Sequence, residues 1–290
     1  MFGAQQYEDI NKLLNQAFAA KKVLIAAHRG TWGGNIAENT CLAYKIALDM
    51  GADMFECDVS KSTDGVLYAF HNREEERCFG IKEDLLTLPS EEIDKLIYRN
   101  SLYLNSGARI ERLKEVAAHF KNGELYNIDR AWDYLPEVLA VLDKFPHAIK
   151  QALIKSPVKA EVLNFLQNCP QKYMYMPIVY SMEDVQTVLS YTDINTVGME
   201  LIAKSPEAEL FQDENIRYIK DKGLFIWANA ITLGAGERWV LFGGLDDDLA
   251  LTEGADAAWG ELVKKGVDII QTDWPYQVKT FLDGYSWKGD

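Results

Sequence analysis

Short apolar runs recur along this chain, each pair separated by enough residues for one helix, and this rhythm restricts the fold more than any other feature. The runs are VLIAAH (23–28), DMFECDV (53–59), ELYNID (124–129), AIKQALIK (148–155), YMYMPIVY (173–180), NTVGME (195–200), LFIWAN (224–229) and VDIIQTD (267–273). Between them lie segments of helical character at 38–50, 112–121, 133–144, 158–168, 182–190, 207–222 and 257–265. Gly51, Gly223 and Gly266 stand where a helix should stop and a strand begin, the usual place for a residue that can turn left-handed past a helix end. Eight strands alternating with helices predict an α/β fold with a parallel sheet. Eight is also the count that closes a (β/α)8 barrel, with an open doubly wound sheet as the alternative.

Two stretches break the rhythm. Residues 60–111 are long for one connection and contain the strand-like VLYAFH (66–71), and residues 230–256 are rich in Gly and Asp. Loops of such length inside a compact domain are mostly functional or disordered. We therefore expect a single barrel domain over 1–290, with 60–111 as an insertion or capping segment after strand 2. Residues 230–256 would form a long active-site loop after strand 7. Ile10, Leu13, Leu14, Ala17 and Phe18 follow a helical stripe and predict an N-terminal helix packed on the domain.

Charge narrows the partners. Thirty basic residues against forty-four acidic ones leave a formal net charge of −14, which repels nucleic acid and anionic lipid at long range. A small anion can still bind where the surroundings are locally positive or hold a metal. No stretch approaches the roughly 18 apolar residues of a membrane span, and the first residues, with Glu8 and Asp9, lack a signal-peptide core. The expected compartment is cytoplasmic as the sequence stands, or periplasmic or secreted if a leader has been removed. Cys41, Cys57, Cys78 and Cys169 have no metal-ligand spacing and read as packing residues.

Residues two apart on a strand point the same way. In MFECDV this puts Met54, Glu56 and Asp58 on one face and Phe55, Cys57 and Val59 on the other, which is wholly apolar. Two adjacent carboxylates repel, so burying them needs a cation or a proton between them. A Lys or Arg would serve, but all-oxygen ligands at a strand end favour one divalent metal, Mg²⁺ or Ca²⁺. Asp129 shares the phase of Asn127 and can complete a three-carboxylate set at a common barrel mouth. Taken alone, such a residue is most often a helix N-cap, here before WDYLPEVL. His28 and His71 both end apolar runs, and an imidazole pair can supply the base and the acid of a phosphodiester displacement. Arg29 can hold phosphate oxygens bidentately, or else bridge to an acidic residue. Lys155 has the inward phase of Leu153, and a lysine at that depth suggests a role near the phosphate. His119 and His147 read as structural.

HRG at 28–30, ENT at 38–40, GAD at 51–53, ECD at 56–58, TDG at 63–65 and His71 together resemble the glycerophosphodiester phosphodiesterase family. GVDIIQTDWP (266–275) and IWAN (226–229) are similar to that family's closing strands, whereas the middle of the chain rests on NID (127–129) and ARIERLKEV (108–116). The resemblance implies a TIM barrel, a divalent metal, and hydrolysis of glycerophosphodiesters to sn-glycerol 3-phosphate and an alcohol. It implies His28 and His71 as acid and base and Arg29 as a phosphate contact. Glu56 and Asp58 match metal ligands, and Asp129 stands where the family has Glu. Trp227 and Asn229 join Lys155 as further substrate-binding candidates.

Three departures accompany the match. Asn72 replaces the usual Asp after the second histidine, Ala131 replaces the usual Lys two residues past the third ligand, and Ala37 replaces a Pro. Lys155 is expected to supply the missing charge. Trp32, Trp132, Trp227 and Trp274, beside Asp246, Asp247 and Asp248, suggest a rim for a choline or ethanolamine cation, or simply a cover for the barrel top. Gly30, Gly33 and Gly34 are expected to let backbone approach a ligand. The alternatives to the hydrolase are a lysophospholipase D or sphingomyelinase D-like phosphodiesterase or lyase, and a catalytically silent phosphodiester-binding barrel.

Overall fold

A computed structural model describes residues 1–234 and 237–287. Its strands are β1 (Leu24–Ala27), β2 (Met54–Lys61), β3 (Leu67–Ala69), β4 (Ile97–Arg99), β5 (Asn105–Arg109), β6 (Leu125–Asp129), β7 (Ala152–Pro157), β8 (Met174–Val179), β9 (Gly198–Leu201), β10 (Phe225–Asn229) and β11 (Ile269–Thr272). Eight of them, β1, β2, β6, β7, β8, β9, β10 and β11, pair in parallel in that order, and pairing of β1 with both β11 and β2 closes the ring. The fold is the expected TIM barrel, not the open sheet.

Alternation along the strands divides two cores. Outward residues such as Phe55, Cys57, Val59, Tyr126, Ile128 and Ile154 belong to the large cluster under the helices. Inward residues, among them Leu24, Met54, Leu125, Leu153, Met174, Phe225, Trp227 and Ile269, fill the barrel. The helix Lys12–Ala20 brings Leu14 into this inner cluster, with Phe2, Ile10, Leu13, Ala17 and Phe18 packed against it. The expected N-terminal helix therefore plugs the barrel floor, opposite the mouth.

Several boundaries differ from the sequence reading. The run AIKQALIK is half helix: Ala148–Gln151 is helical and the strand begins only at Ala152, the residue that first finds a partner, Tyr126 on β6. Because β6 starts at Leu125 and β8 at Met174, nearly all of AIKQ lies upstream of both neighbouring strands. NTVGME is strand only from Gly198. VLYAFH contributes only Leu67–Ala69, antiparallel to the upper end of β2. A C-terminal helix, Pro275–Asp283, follows β11 and was not foreseen.

Between β3 and β6 lie the short helices Glu75–Cys78 and Ser90–Ile93 and the β4–β5 hairpin. They share a small apolar cluster that includes Tyr68, Phe70, Phe79, Leu85, Ile93 and Tyr98. Within 230–256 the helix Asp247–Glu253 is formed. Among the described residues no helix is long and apolar enough to cross a membrane.

Candidate active site

Register carries the inward carboxylates to one level. Glu56 lies beside Asn127 and Asp58 beside Asp129, and ligand oxygens of Glu56, Asp58 and Asp129 come within 4.8 Å of one another. Protein donors pin part of each carboxylate. Glu56 Oε1 accepts from Lys155 Nζ at 2.8 Å, while buried Glu56 Oε2 accepts no hydrogen bond among the described residues. Asp58 Oδ2 accepts from Asn39 Nδ2 at 3.0 Å and lies 3.2 Å from Arg29 Nε. Asp129 Oδ1 accepts from the Arg130 amide at 2.7 Å and Oδ2 pairs with Lys155 at 2.8 Å. Asp129 does not cap a helix: the next turn, Trp132–Tyr134, starts after Ala131. Burial, reinforced by Glu56, Asp58 and Glu200, pushes the Asp129 carboxyl up to about 7 against the pull of Lys155. Against the cost of burial, Lys155 and His28 hold Glu56 well below the usual range. The alternative reading, pairing with Lys and Arg, is thus also met, yet one buried Glu56 oxygen makes no hydrogen bond among the described residues and the Asp129 carboxyl stays pushed up. An oxygen-seeking divalent cation fits both.

Each residue of the ENT triplet has a distinct task. Glu38 pairs with Arg29 Nη1 at 3.0 Å and with Arg77 at 2.7 Å. Asn39, in the left-handed region at φ 51°, holds Asp58 by side chain and backbone amide and is itself fixed by the Tyr44 hydroxyl at 2.9 Å. Thr40 caps the helix Cys41–Asp49 through the Ala43 amide. Gly30 serves that helix rather than a ligand, since a Cβ there would lie 2.6 Å from the Ala43 carbonyl carbon. Gly33 and Gly34 face open space.

The two imidazoles differ in their partners. His28 Nδ1 lies 2.8 Å from Asp273 Oδ1, and its Nε2 3.8 Å from Glu56 Oε2. Burial and Arg29 disfavour the charged ring, but Asp273 and Glu56 together outweigh them and the His28 pKa rises. His71 Nδ1 meets the Asn72 carbonyl at 2.7 Å. A carbonyl only accepts, so Nδ1 carries the proton and a neutral ring leaves Nε2 as a lone pair. Burial, with the charges of Arg29 and Arg130, lowers the His71 pKa despite Asp58.

The predicted phosphate cations already have partners. Arg29, at φ 56°, contacts Glu38, Asp58 and, at 3.4 Å, Glu74. Lys155 bridges Glu56, Asp129 and, at 3.1 Å, Glu200. Trp227 is fully buried, so it is no rim residue. Its indole N–H donates to Asn229 Oδ1 at 2.8 Å, and Asn229 donates to Glu200 Oε1 at 2.8 Å.

The expected rim for a cationic head group is altered in other ways. Arg77 lies over Trp32, and Arg130 and Lys159 over Trp132. Asp246 caps the helix Asp247–Glu253 and pairs with Arg238. Asp247 accepts from Trp259, Thr272 and the Asp273 amide. Trp32 and Trp274 stay exposed.

Sequence reasoning missed Glu200, Asp273, Asn39 and Arg130. Glu200 and Asp273 each end a strand run in the inward phase, which was the available signal. Asn39 and Arg130 owe their positions to left-handed backbone, which leaves no periodic trace.

Residues 28–202 match the family described as the glycerophosphoryl diester phosphodiesterase family, and residues 175–282 match a domain of unknown function. A glycerophosphodiester phosphodiesterase of Bacillus subtilis is 26% identical over 226 residues, 71% of this chain and 75% of that protein. One from Caldanaerobacter subterraneus is 39% identical over 75 residues, 26% of this chain and 30% of that protein. Among solved structures, a glycerophosphoryl diester phosphodiesterase from Parabacteroides distasonis is similar with TM-score 0.73 and 19% identity, covering 97% of this chain and 95% of the other. An Oleispira antarctica phosphodiesterase in complex with the product sn-glycerol-3-phosphate is similar with TM-score 0.65 and 19% identity, covering 92% and 99%.

Proposed function

The chain belongs to the glycerophosphoryl diester phosphodiesterase family, and on that premise we propose that it hydrolyses glycerophosphodiesters to sn-glycerol 3-phosphate and an alcohol. One observation carries the reading: three clustered carboxylates, with a buried Glu56 oxygen that makes no hydrogen bond among the described residues, share a site with two imidazoles whose pKa values shift in opposite directions. Glu56, Asp58 and Asp129 would hold one divalent cation, Mg²⁺ or Ca²⁺. When bound, it neutralises charge on the non-bridging phosphate oxygens.

The remaining steps belong to the protein. His71, neutral and presenting Nε2, accepts the proton of the nucleophile. His28, kept protonated by Asp273, donates from Nε2 to the leaving alkoxide. Asp273 orients the His28 ring as the carboxylate of a catalytic triad orients its histidine. Asn39 and Arg29 fix Asp58, and Lys155 fixes Glu56 and Asp129, which pre-organises the ligands. Lys155 and Arg29 act mainly through the carboxylates they hold, which offset most of their charge.

The test is a coupled assay of sn-glycerol 3-phosphate release from several glycerophosphodiesters. Release should vanish with chelator and return with Mg²⁺ or Ca²⁺. His28→Ala and His71→Ala should each lower turnover by roughly 10²–10⁴-fold. Release indifferent to chelator, or wild-type turnover in either variant, would reject the reading.

A further inference from the structure

We propose that Arg130 is a substrate-binding residue that contacts the phosphate anion, and that Asn72 is the positioning residue that holds its guanidinium there without neutralising it. The proposal rests on the phosphodiesterase reading above and adds a residue to it.

The argument starts from where the positive charge lies. Arg29 faces three carboxylates and Lys155 three more. Both are therefore largely compensated before any phosphate arrives. Arg130 is different. It follows the carboxylate Asp129 directly, and its backbone is left-handed, at φ 60°. A non-glycine residue in that region is unfavourable and recurs at ligand clamps and active sites. The turn sends the side chain across the mouth toward the segment carrying His71. There Arg130 Nη2 donates to Asn72 Oδ1 at 3.0 Å, and the guanidinium lies 5.5 Å from the centroid of Trp132. No carboxylate lies within ion-pair distance of Arg130 among the described residues. Both contacts steer a guanidinium and neither cancels its charge. The side chain is half-buried, so it is partly stripped of water yet reachable from the mouth. Its charge is felt at His71, whose pKa it helps to lower.

This geometry joins two of the sequence departures. The lysine expected at 131 is an alanine, and the aspartate expected at 72 is an asparagine. An aspartate at 72 would form an ion pair with Arg130 and remove the free charge, whereas an amide oxygen accepts the hydrogen bond and leaves the charge available for an anion.

The probe is sn-glycerol 3-phosphate, bound with divalent metal held constant and followed by calorimetry. Arg130→Gln should weaken binding roughly 10–100-fold, the range of a lost charge-assisted hydrogen bond. Arg130→Lys should recover part of the loss. Asn72→Asp should weaken binding to an intermediate degree while the melting temperature stays near that of the parent. In turnover, Arg130→Gln should raise KM to a similar extent for diesters of neutral and cationic alcohols and change kcat less. Unchanged product affinity in Arg130→Gln, or a KM rise confined to one alcohol, would overturn the proposal. If Arg130→Gln folds poorly, Arg130→Lys and Asn72→Asp decide it, and parental affinity in both would overturn it. Product binding needs no turnover. A protein that binds the product through Arg130 but hydrolyses no diester would reject the proposed function and leave this inference standing.

Discussion

The 2.8 Å contact between His28 Nδ1 and Asp273 makes a prediction whose sign follows from charge alone. Asp273 raises the His28 pKa against burial. In Asp273→Asn that support is gone, so the His28 pKa should fall, and the alkaline limb of the pH–rate profile should move to lower pH. An alkaline limb that stays put would show that His28 is not the acid. The same group links to stability. Its raised pKa stabilises the fold below about 6.5, the unfolded value, and this contribution fades as pH rises through the native pKa.

Lys155 offers a second residue-level test, because it is the cation shared by Glu56, Asp129 and Glu200. Lys155→Met should cost about 3–5 kcal/mol in metal-free protein, since it leaves buried carboxylates unpaired. Added Mg²⁺ or Ca²⁺ should restore part of that. Thermal melts with and without the ion would measure both effects, and a metal-free Lys155→Met as stable as the parent would refute the role.

At the scale of elements, the loop after β10 is tied to the end of β11 by one buried side chain. Asp247 receives the Thr272 hydroxyl, the Trp259 indole N–H and the Asp273 amide. An asparagine there must turn an NH₂ toward at least one of these donors, so Asp247→Asn should destabilise by about 1–3 kcal/mol. It should also lower turnover, because Asp273 is the residue that holds His28. A loss of stability with full activity would separate the loop from the site.

These ties show what the sequence could and could not reveal. The inward phase of Glu56, Asp58 and Asp129 was legible because a two-residue repeat is local, and strand register then brought them level. The Lys155–Glu200 pair joins residues 45 positions apart and needs the closed barrel to exist. The helical AIKQ was misread because an apolar run ahead of a strand looks the same whether or not a neighbour is there to pair with it. Asn39 and Arg130 depend on single left-handed residues, which a pattern of apolar spacing does not encode. Whether Trp227 lines a rim or covers the barrel top stays open in the sequence, because the indole alone does not tell a surface aromatic from one buried over a polar network.

Across the whole molecule, the barrel separates what stabilises it from what does its chemistry. The floor is apolar, with Leu14 buried against the inner cluster. The mouth collects carboxylates, imidazoles and cations at the C-terminal strand ends, where TIM barrels carry their sites. Leu14→Ala should cost about 2–5 kcal/mol through a cavity that rigid strands cannot fully close. At temperatures well below the melt, kcat/KM should stay within about twofold of the parent, because the deletion lies at the end of the barrel away from the carboxylates. Divalent metal acts at the mouth, and its stabilisation should follow ligand linkage, about 2.7 kcal/mol at a concentration one hundred times its Kd. The two effects act on distant, unshared contacts and should therefore add to within about 0.5 kcal/mol. Melts of parent and Leu14→Ala, each with chelator and with saturating metal, give the four values needed. A metal-induced gain that shrinks by more than 1 kcal/mol in Leu14→Ala would mean that floor packing and the carboxylate cluster are coupled, and the separation of scaffold from site would fail.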